Sequence, residues 1–263
     1  MCSAKAPWLD RIDGAAIGVL AYRRRDGEPV PCAVTPYVEG GDVVVTSTLA
    51  FPAKGLAMRR EGRAALLAGG VLVRGRVDVT IDRTSGEFDR WIRGQELRKY
   101  PPARALLAIP GHRRLVPWYV GRIIVRFVSP EVTDVVGHDR VTLTTVDDDG
   151  CPWIEPLDLE AFDVDVGDTA PLVMTRPTHQ GPASVLVHEE DEAMRALRQR
   201  RHDGQVDAGV LHVDRVTGSL DPPPTGTLAE LAQLRQLARS ARAHRAQLDR
   251  LAPPLLSHQR SAP

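Results

Sequence analysis

The stretch Val43–Leu67, VVVTSTLAFPAKGLAMRREGRAALL, decides how this chain is read. It opens with Val43-Val44-Val45-Thr46-Ser47-Thr48, β-branched almost throughout, which predicts a strand. Leu49–Ala53 follows as a loop. Lys54–Glu61 has the composition of a short helix ending in Arg59-Arg60, and Arg63–Leu67 returns to a strand. Three hydroxyls therefore precede a helix that a lysine opens. A phosphate asks for this chemistry: backbone N–H groups at a helix start, hydroxyl donors and a cation. An ammonium–phosphate contact partly shielded from water contributes about 1.5–3 kcal/mol. A solvated lysine beside ordinary strand hydroxyls is the competing reading of the same residues.

Upstream, Ile17–Tyr22 and Val30–Val38 are short apolar runs separated by Asp26-Gly27, a hairpin signal. With Val43–Thr48 they predict a three-stranded antiparallel meander. Downstream, Val71–Ile81 reads as a strand with Arg74 and Arg76 flanking Gly75. Strand alternation puts both arginines on one face, where a glycine lets backbone approach a ligand. Salt-bridged surface arginines are the equal alternative. Phe88–Leu107 is helical in composition, broken at Pro101-Pro102, and Tyr119–Val128 closes the unit as a strand in which Arg122 and Arg126 interrupt apolar residues.

The pattern then restarts. Val141–Val146, the turn Asp147–Gly150 and Cys151–Leu157 repeat the rhythm of Ile17–Val38, with Asp149-Gly150-Cys151-Pro152 set against Asp26-Gly27-Glu28-Pro29. Pro182–Leu186 likewise matches Arg63–Leu67, and Val210–Leu220 would be a last strand. A degenerate internal duplication explains this, as does chance recurrence of Asp-Gly hairpins in a β-rich chain. At the junction corresponding to Lys54, Met174–Gly181, the lysine is missing and the sequence predicts no counterpart of the helix. Leu220–Gly226 is a linker. Thr227 and Glu230 can form a capping box, and Leu228, Leu231, Leu234 and Leu237 recur at helical spacing, predicting an amphipathic helix to about Leu251.

The strand, loop, helix-opening lysine and following strands of Val43–Asp78 resemble the pyridoxamine-phosphate oxidase-like superfamily, the flavin-binding split barrels. Thr48 matches that family's strand-end threonine and Pro52-Ala53-Lys54 its helix-opening triplet. The likeness spans roughly Ile17 to Asp134. It implies a mainly β fold with flanking helices: a split-barrel unit over 1–136, a degenerate second unit over 137–222, and a C-terminal helix and tail over 223–263. It also implies an FMN-dependent oxidoreductase acting on a small molecule, with the deazaflavin coenzyme as the nearest alternative and a non-catalytic flavin- or heme-binding protein as another. The implied cofactor contacts are Thr46, Ser47, Thr48, Lys54, Arg74 and Arg76. Ala53, Cys32 and Tyr37 stand where the strict oxidase pattern is cationic, which argues against the vitamin oxidase activity itself. Family members pair as dimers with the cofactor at the interface, so the chain is expected to be a homodimer or, through its second unit, an internal pseudo-dimer.

Composition narrows the alternatives. Across 263 residues, Lys+Arg and Asp+Glu are each 34, so no basic excess points to nucleic acid. Cys2, Cys32 and Cys151 form no CxxC pair, which excludes a disulfide framework or Cys-rich zinc site. The apolar run Ala15–Tyr22 is too short to span a membrane, and the expected location is cytoplasmic. The histidines are scattered with no metal-ligand spacing. His188, on the strand-like run Ser184–His188, is the first candidate if a heme is bound. Trp118-Tyr119 could wall a ring system or sit in an ordinary core. No residue stands out as a general acid or base, as expected where a cofactor carries the chemistry.

Overall fold

The computed structural model describes residues 6–100, 104, 107–108, 117–157, 172–173, 180–190, 197–222 and 227–251. Its strands form two antiparallel sheets. The first contains β1 (Gly18–Arg23), β2 (Pro29–Val34), β3 (Pro36–Glu39), β4 (Asp42–Thr48), β5 (Arg63–Ala68), β6 (Val71–Asp82) and β7 (Arg122–Asp134). In space the order is β2-β1-β5-β6-β7-β4-β3. The outermost strands, β2 and β3, are joined through Thr35 alone. A sheet whose opposite edges are one residue apart in the chain must curl until those edges meet. The first unit is thus a barrel, split between β2 and β3.

That topology corrects the predicted meander. Val30–Val38 is not one strand: it breaks at Thr35, and its halves lie on opposite edges of the sheet. Pro36 has no N–H for a ladder, and Pro29 and Pro31 suit β2 to an edge. The predicted strand Tyr119–Val128 is also shifted. A helical turn, α4 (Pro117–Val120), holds Trp118 and Tyr119, and β7 begins at Arg122 and runs on to Asp134. The expected helix over Phe88–Leu107 starts as a π-helical turn, Phe88–Ile92, and continues as α3 (Arg93–Lys99). Its expected break at Pro101-Pro102 lies outside the described residues. An additional helix, α1 (Pro7–Gly14), places Leu9 and Ile12 in the barrel core.

Helix α2 (Pro52–Glu61) closes one end of the barrel. Met58 enters the barrel core beside Val45, Leu66 and Phe127. Gly55 lies so close to the sheet that a Cβ there would fall 2.4 Å from Cγ2 of Ile123. Any side chain at position 55 would push the helix, and Lys54 with it, off the sheet.

The second sheet contains β8 (Val141–Val146), β9 (Pro152–Pro156), β10 (Leu172–Val173), β11 (Gly181–Glu190), β12 (Leu197–Asp207) and β13 (Val210–Ser219), ordered β9-β8-β11-β12-β13-β10. It repeats the order β2-β1-β5-β6-β7-β4 of the first sheet strand for strand. Two further details recur. Both opening hairpins turn on Asp-Gly, at Asp26-Gly27 and Asp149-Gly150. Both long hairpins change register next to a glycine, between Arg74 and Arg76 in one and between Asp203 and Gly204 in the other. Each time the extra residue lies in the later strand. At Gly204 a Cβ would sit 1.9 Å from the carbonyl oxygen of His212, so the bulge requires glycine.

The sheets meet along a dry seam. Val19, Ala21, Ala65, Leu67 and Leu72 of the first unit pack against Ile154 and Leu186 of the second. Alternate residues of the same strands, Leu20, Ala64, Leu66 and Ala68, face the barrel interior. Two polar ties flank the seam. Arg74 on β6 bonds Asp147 in the second unit's hairpin, and Arg215 on β13 bonds Glu28 in the first unit's hairpin at 2.9 Å. The C-terminal helix is broken near His244 into α5 (Thr227–Ala243) and α6 (Arg245–Leu251), where the sequence predicts one helix. Leu234 and Leu237 pack on the first unit beside Trp118 and Ile124. No helix among the described residues is long and apolar enough to cross a membrane.

Truncating a buried second-unit residue of the seam tests this packing. Leu186→Ala should cost about 2–5 kcal/mol of unfolding free energy, measured by urea denaturation. A loss below about 1 kcal/mol would mean that the units do not depend on each other.

Candidate functional site

The β4–α2 junction separates the residues that the sequence groups together. Thr46 and Thr48 alternate with Ser47 along β4. The Ser47 hydroxyl donates to the carbonyl of Phe51 at 2.9 Å, so it shapes the loop into α2. Thr46 lies diagonally across the β3–β4 ladder from Tyr37, whose partner is Val44. Thr48 alone keeps a buried hydroxyl with no hydrogen-bond partner. The first turn of α2 has Pro52 near its start and Phe51 at its N-cap, so no side chain caps its amides.

Lys54, in that uncapped first turn, is half-buried and makes no ion pair among the described residues. It acts electrostatically on the thiol of Cys32, on edge strand β2. A second cation acts on the same thiol from the other unit: Arg201, on β12. Burial pushes the Cys32 thiol up, and the two cations oppose it. The phenol of Tyr22 on β1 is also pushed up, by burial and by Cys32, with Arg201 and Arg24 opposing. Lys54 and Arg201 thus both act near Cys32, and Tyr22 and Cys32 lie on the barrel-core side of their strands. A pair of cations beside neutral Tyr and Cys side chains suits a dianionic phosphate. The residues present therefore fit the phosphate of a flavin-type cofactor.

Arg201 is held in place by a buried acid. It donates to Asp203 through Nε at 2.8 Å and through a terminal nitrogen at 3.0 Å. Ser184 donates to the same carboxylate at 2.6 Å, and Arg215 does so at 2.7 and 3.0 Å. Burial raises the Asp203 carboxyl, but these donors outweigh it, and the net direction is below the usual carboxylate range.

Arg74 and Arg76 line a different cavity, of about 330 Å³, with Arg63, Ser129, Asp149 and Cys151. Neither Lys54 nor the β4 hydroxyls line it. Arg74 is committed to Asp147 and stacks on Trp153, 5.0 Å from the ring centroid. It ties the units together. Arg76 is exposed, with no ion pair among the described residues.

Other candidates resolve similarly. Trp118 and Tyr119 are both buried, and the Tyr119 hydroxyl donates to Glu96 at 3.0 Å. Arg122 is buried against the same carboxylate and stacks on Phe88 and Tyr119. His188 is 2% exposed, with Nε2 at 2.8 Å from the carbonyl of Asp139. Among the described residues, no group of three or more His, Cys, Asp or Glu could hold a metal ion. The second unit's counterpart of the lysine junction, 174–179, lies outside the described residues.

Sequence reading missed Tyr22 and Arg201. Cys32 was visible as a departure from a cationic position. Arg201, however, reaches the site only because β12 packs beside β2, and no local pattern in Leu197–Asp207 announces that contact.

Comparison with solved structures matches about half of the chain. A conserved hypothetical protein of Mycobacterium tuberculosis aligns at 18% identity and a TM-score of 0.37, over 51% of this chain and 86% of its own. A pyridoxamine 5'-phosphate oxidase, so described, of Listeria innocua aligns at 17% and 0.36, over 50% and 98%. A protein described as an F420 reductase aligns at 20% and 0.35, over 49% and 97%. The likeness is one of fold. No family model matches, and no curated protein matches.

The Asp203 network makes a pH-dependent prediction. Its folded pKa is depressed, so the stability it contributes is present above the unfolded carboxylate pKa and is lost as pH falls through the folded value. Asp203→Asn should therefore cost on the order of 2 kcal/mol at pH 7. The gap to the parent protein should close in acid, as read from denaturation midpoints across a pH series. A gap independent of pH would show that the network's charge does not stabilise the fold.

Proposed function

We propose that this chain binds a flavin-type cofactor, FMN or the deazaflavin coenzyme, and works as an oxidoreductase on a small molecule. One observation carries the reading: Lys54 and Arg201, from different units, act on the same half-buried thiol, and Lys54 has no carboxylate partner among the described residues. Two cations without a full set of counter-charges favour a bound anion.

In this reading Lys54 and the free amides at the start of α2 hold the phosphate, and Arg201 supplies charge from across the seam. Asp203 keeps Arg201 oriented. Cys32 and Tyr22 remain neutral, so neither competes with the phosphate for the cations. The apolar seam excludes water from one side of the site. When bound, the cofactor would supply transfer of a hydride or electrons. The second unit, as a degenerate copy of the first, takes the place that a partner subunit fills in a split-barrel dimer. The chain would then carry one such site.

FMN titrated into the purified full chain, followed by flavin fluorescence and equilibrium dialysis, tests this. Lys54→Ala should weaken binding at least tenfold, about 1.4 kcal/mol, with the melting temperature unchanged. Equal affinity in the variant would return Lys54 to an ordinary surface lysine. Parallel titration with the deazaflavin coenzyme separates the two cofactors.

A further inference from the structure

A second cavity, about 530 Å³, lies between the C-terminal helices and the first unit. It shares no lining residue with the Lys54 site. Leu49, Pro117 and Trp118 line it from the first unit, and Ala238, Ala241 and Leu248 from α5 and α6. Its remaining walls are charged: Arg83, Arg242 and Arg245 against one acid, Asp249. Asp249 pairs with Arg83, and Arg245 approaches it only to 4.0 Å. Arg242 has no carboxylate partner among the described residues; its Nε donates to the carbonyl of Ala238, one turn back, at 3.2 Å. The walls are fixed independently of any ligand. Ser240 donates to the carbonyl of Ala50 at 2.7 Å, and Leu248 is 2% exposed, packed with Ile81 and Ile123.

A cavity of this size, apolar inside and bearing a few converging polar groups, has the form of a small-molecule site. The excess of two positive charges selects what it takes. We propose that this cavity binds a small organic anion, its flat apolar body against Trp118 and Leu248 and its carboxylate, sulfonate or phosphate end on Arg242 and Arg245. Trp118 offers apolar aromatic area, and the guanidinium groups offer forked hydrogen bonds to an oxyanion. The small side chains of Ala238 and Ala241 leave the space that a ring needs. None of Tyr22, Cys32, Lys54 and Arg201 lines this cavity, so the site does not depend on the cofactor reading.

The probe is anilinonaphthalene sulfonate, a flat apolar anion that fluoresces when removed from water, titrated into the full-length chain. One saturable dye per chain is expected. Replacing both arginines (Arg242→Ala with Arg245→Ala) should weaken it at least tenfold, while uncharged phenylnaphthylamine loses much less. Ala241→Trp, which fills the cavity, should abolish binding of both dyes, and Ala238→Leu serves if that variant does not fold. Lys54→Ala should leave dye affinity unchanged. Unaltered affinity in the arginine and cavity-filling variants, at unchanged melting temperature, would overturn the proposal. Loss of dye binding in Lys54→Ala would also overturn it, because the dye would then occupy the other site.

Discussion

β1 and β5 are buried on both faces, and the rest of the molecule is arranged around that constraint. Leu20, Leu66 and Ala68 fill the barrel, while Val19, Ala21, Ala65 and Leu67, pointing the other way, would face water if the second sheet were absent. At roughly 25 cal/mol per Å² of apolar surface, leaving such a face open is costly. Ile154 and Leu186 cover it. The seam in turn brings β12 beside β2, and only that contact sets Arg201 across from Cys32 and Lys54.

The polar ties obey the same geometry. Each unit extends an Asp-Gly hairpin toward the other, and each hairpin presents an acid to an arginine on one of the two strands that form the other unit's bulged hairpin: Asp147 to Arg74, and Glu28 to Arg215. The bulges beside Gly75 and Gly204 occupy equivalent places in the two sheets. The side chains differ between the two units, while the reciprocal arrangement is common to both. The one-sided placement of Lys54 has a physical basis as well, because α2 needs Gly55 against Ile123 to seat the lysine at the barrel's end.

Much of the fold was legible in the residues. The β-branched run Val43–Thr48, the helix after it and the strands Arg63–Ala68 and Val71–Asp82 lie where the local pattern puts them. Misreadings occurred where long-range pairing overrides local pattern. Thr35 looks like the middle of a strand but is the link between opposite sheet edges, a role set by β2 pairing with β1 and β3 with β4. Tyr119 looks like a strand residue but occupies a helical turn, where it reaches Glu96. Arg74 and Arg76 look like neighbours of Lys54 but line another cavity.

The sequence by itself determined the strand and helix types, the Asp-Gly hairpins and the lysine that opens α2, because each depends on residues a few positions apart. It also carried the seam in outline. The unbroken apolar run Ala64–Ala68 has no polar face to give to solvent, so both of its sides had to be covered. Tertiary structure alone decided what covers the second side, which hydroxyls remain free and which arginine joins Lys54. Those outcomes depend on how two sheets far apart in sequence come into register, and no window of local sequence contains that information.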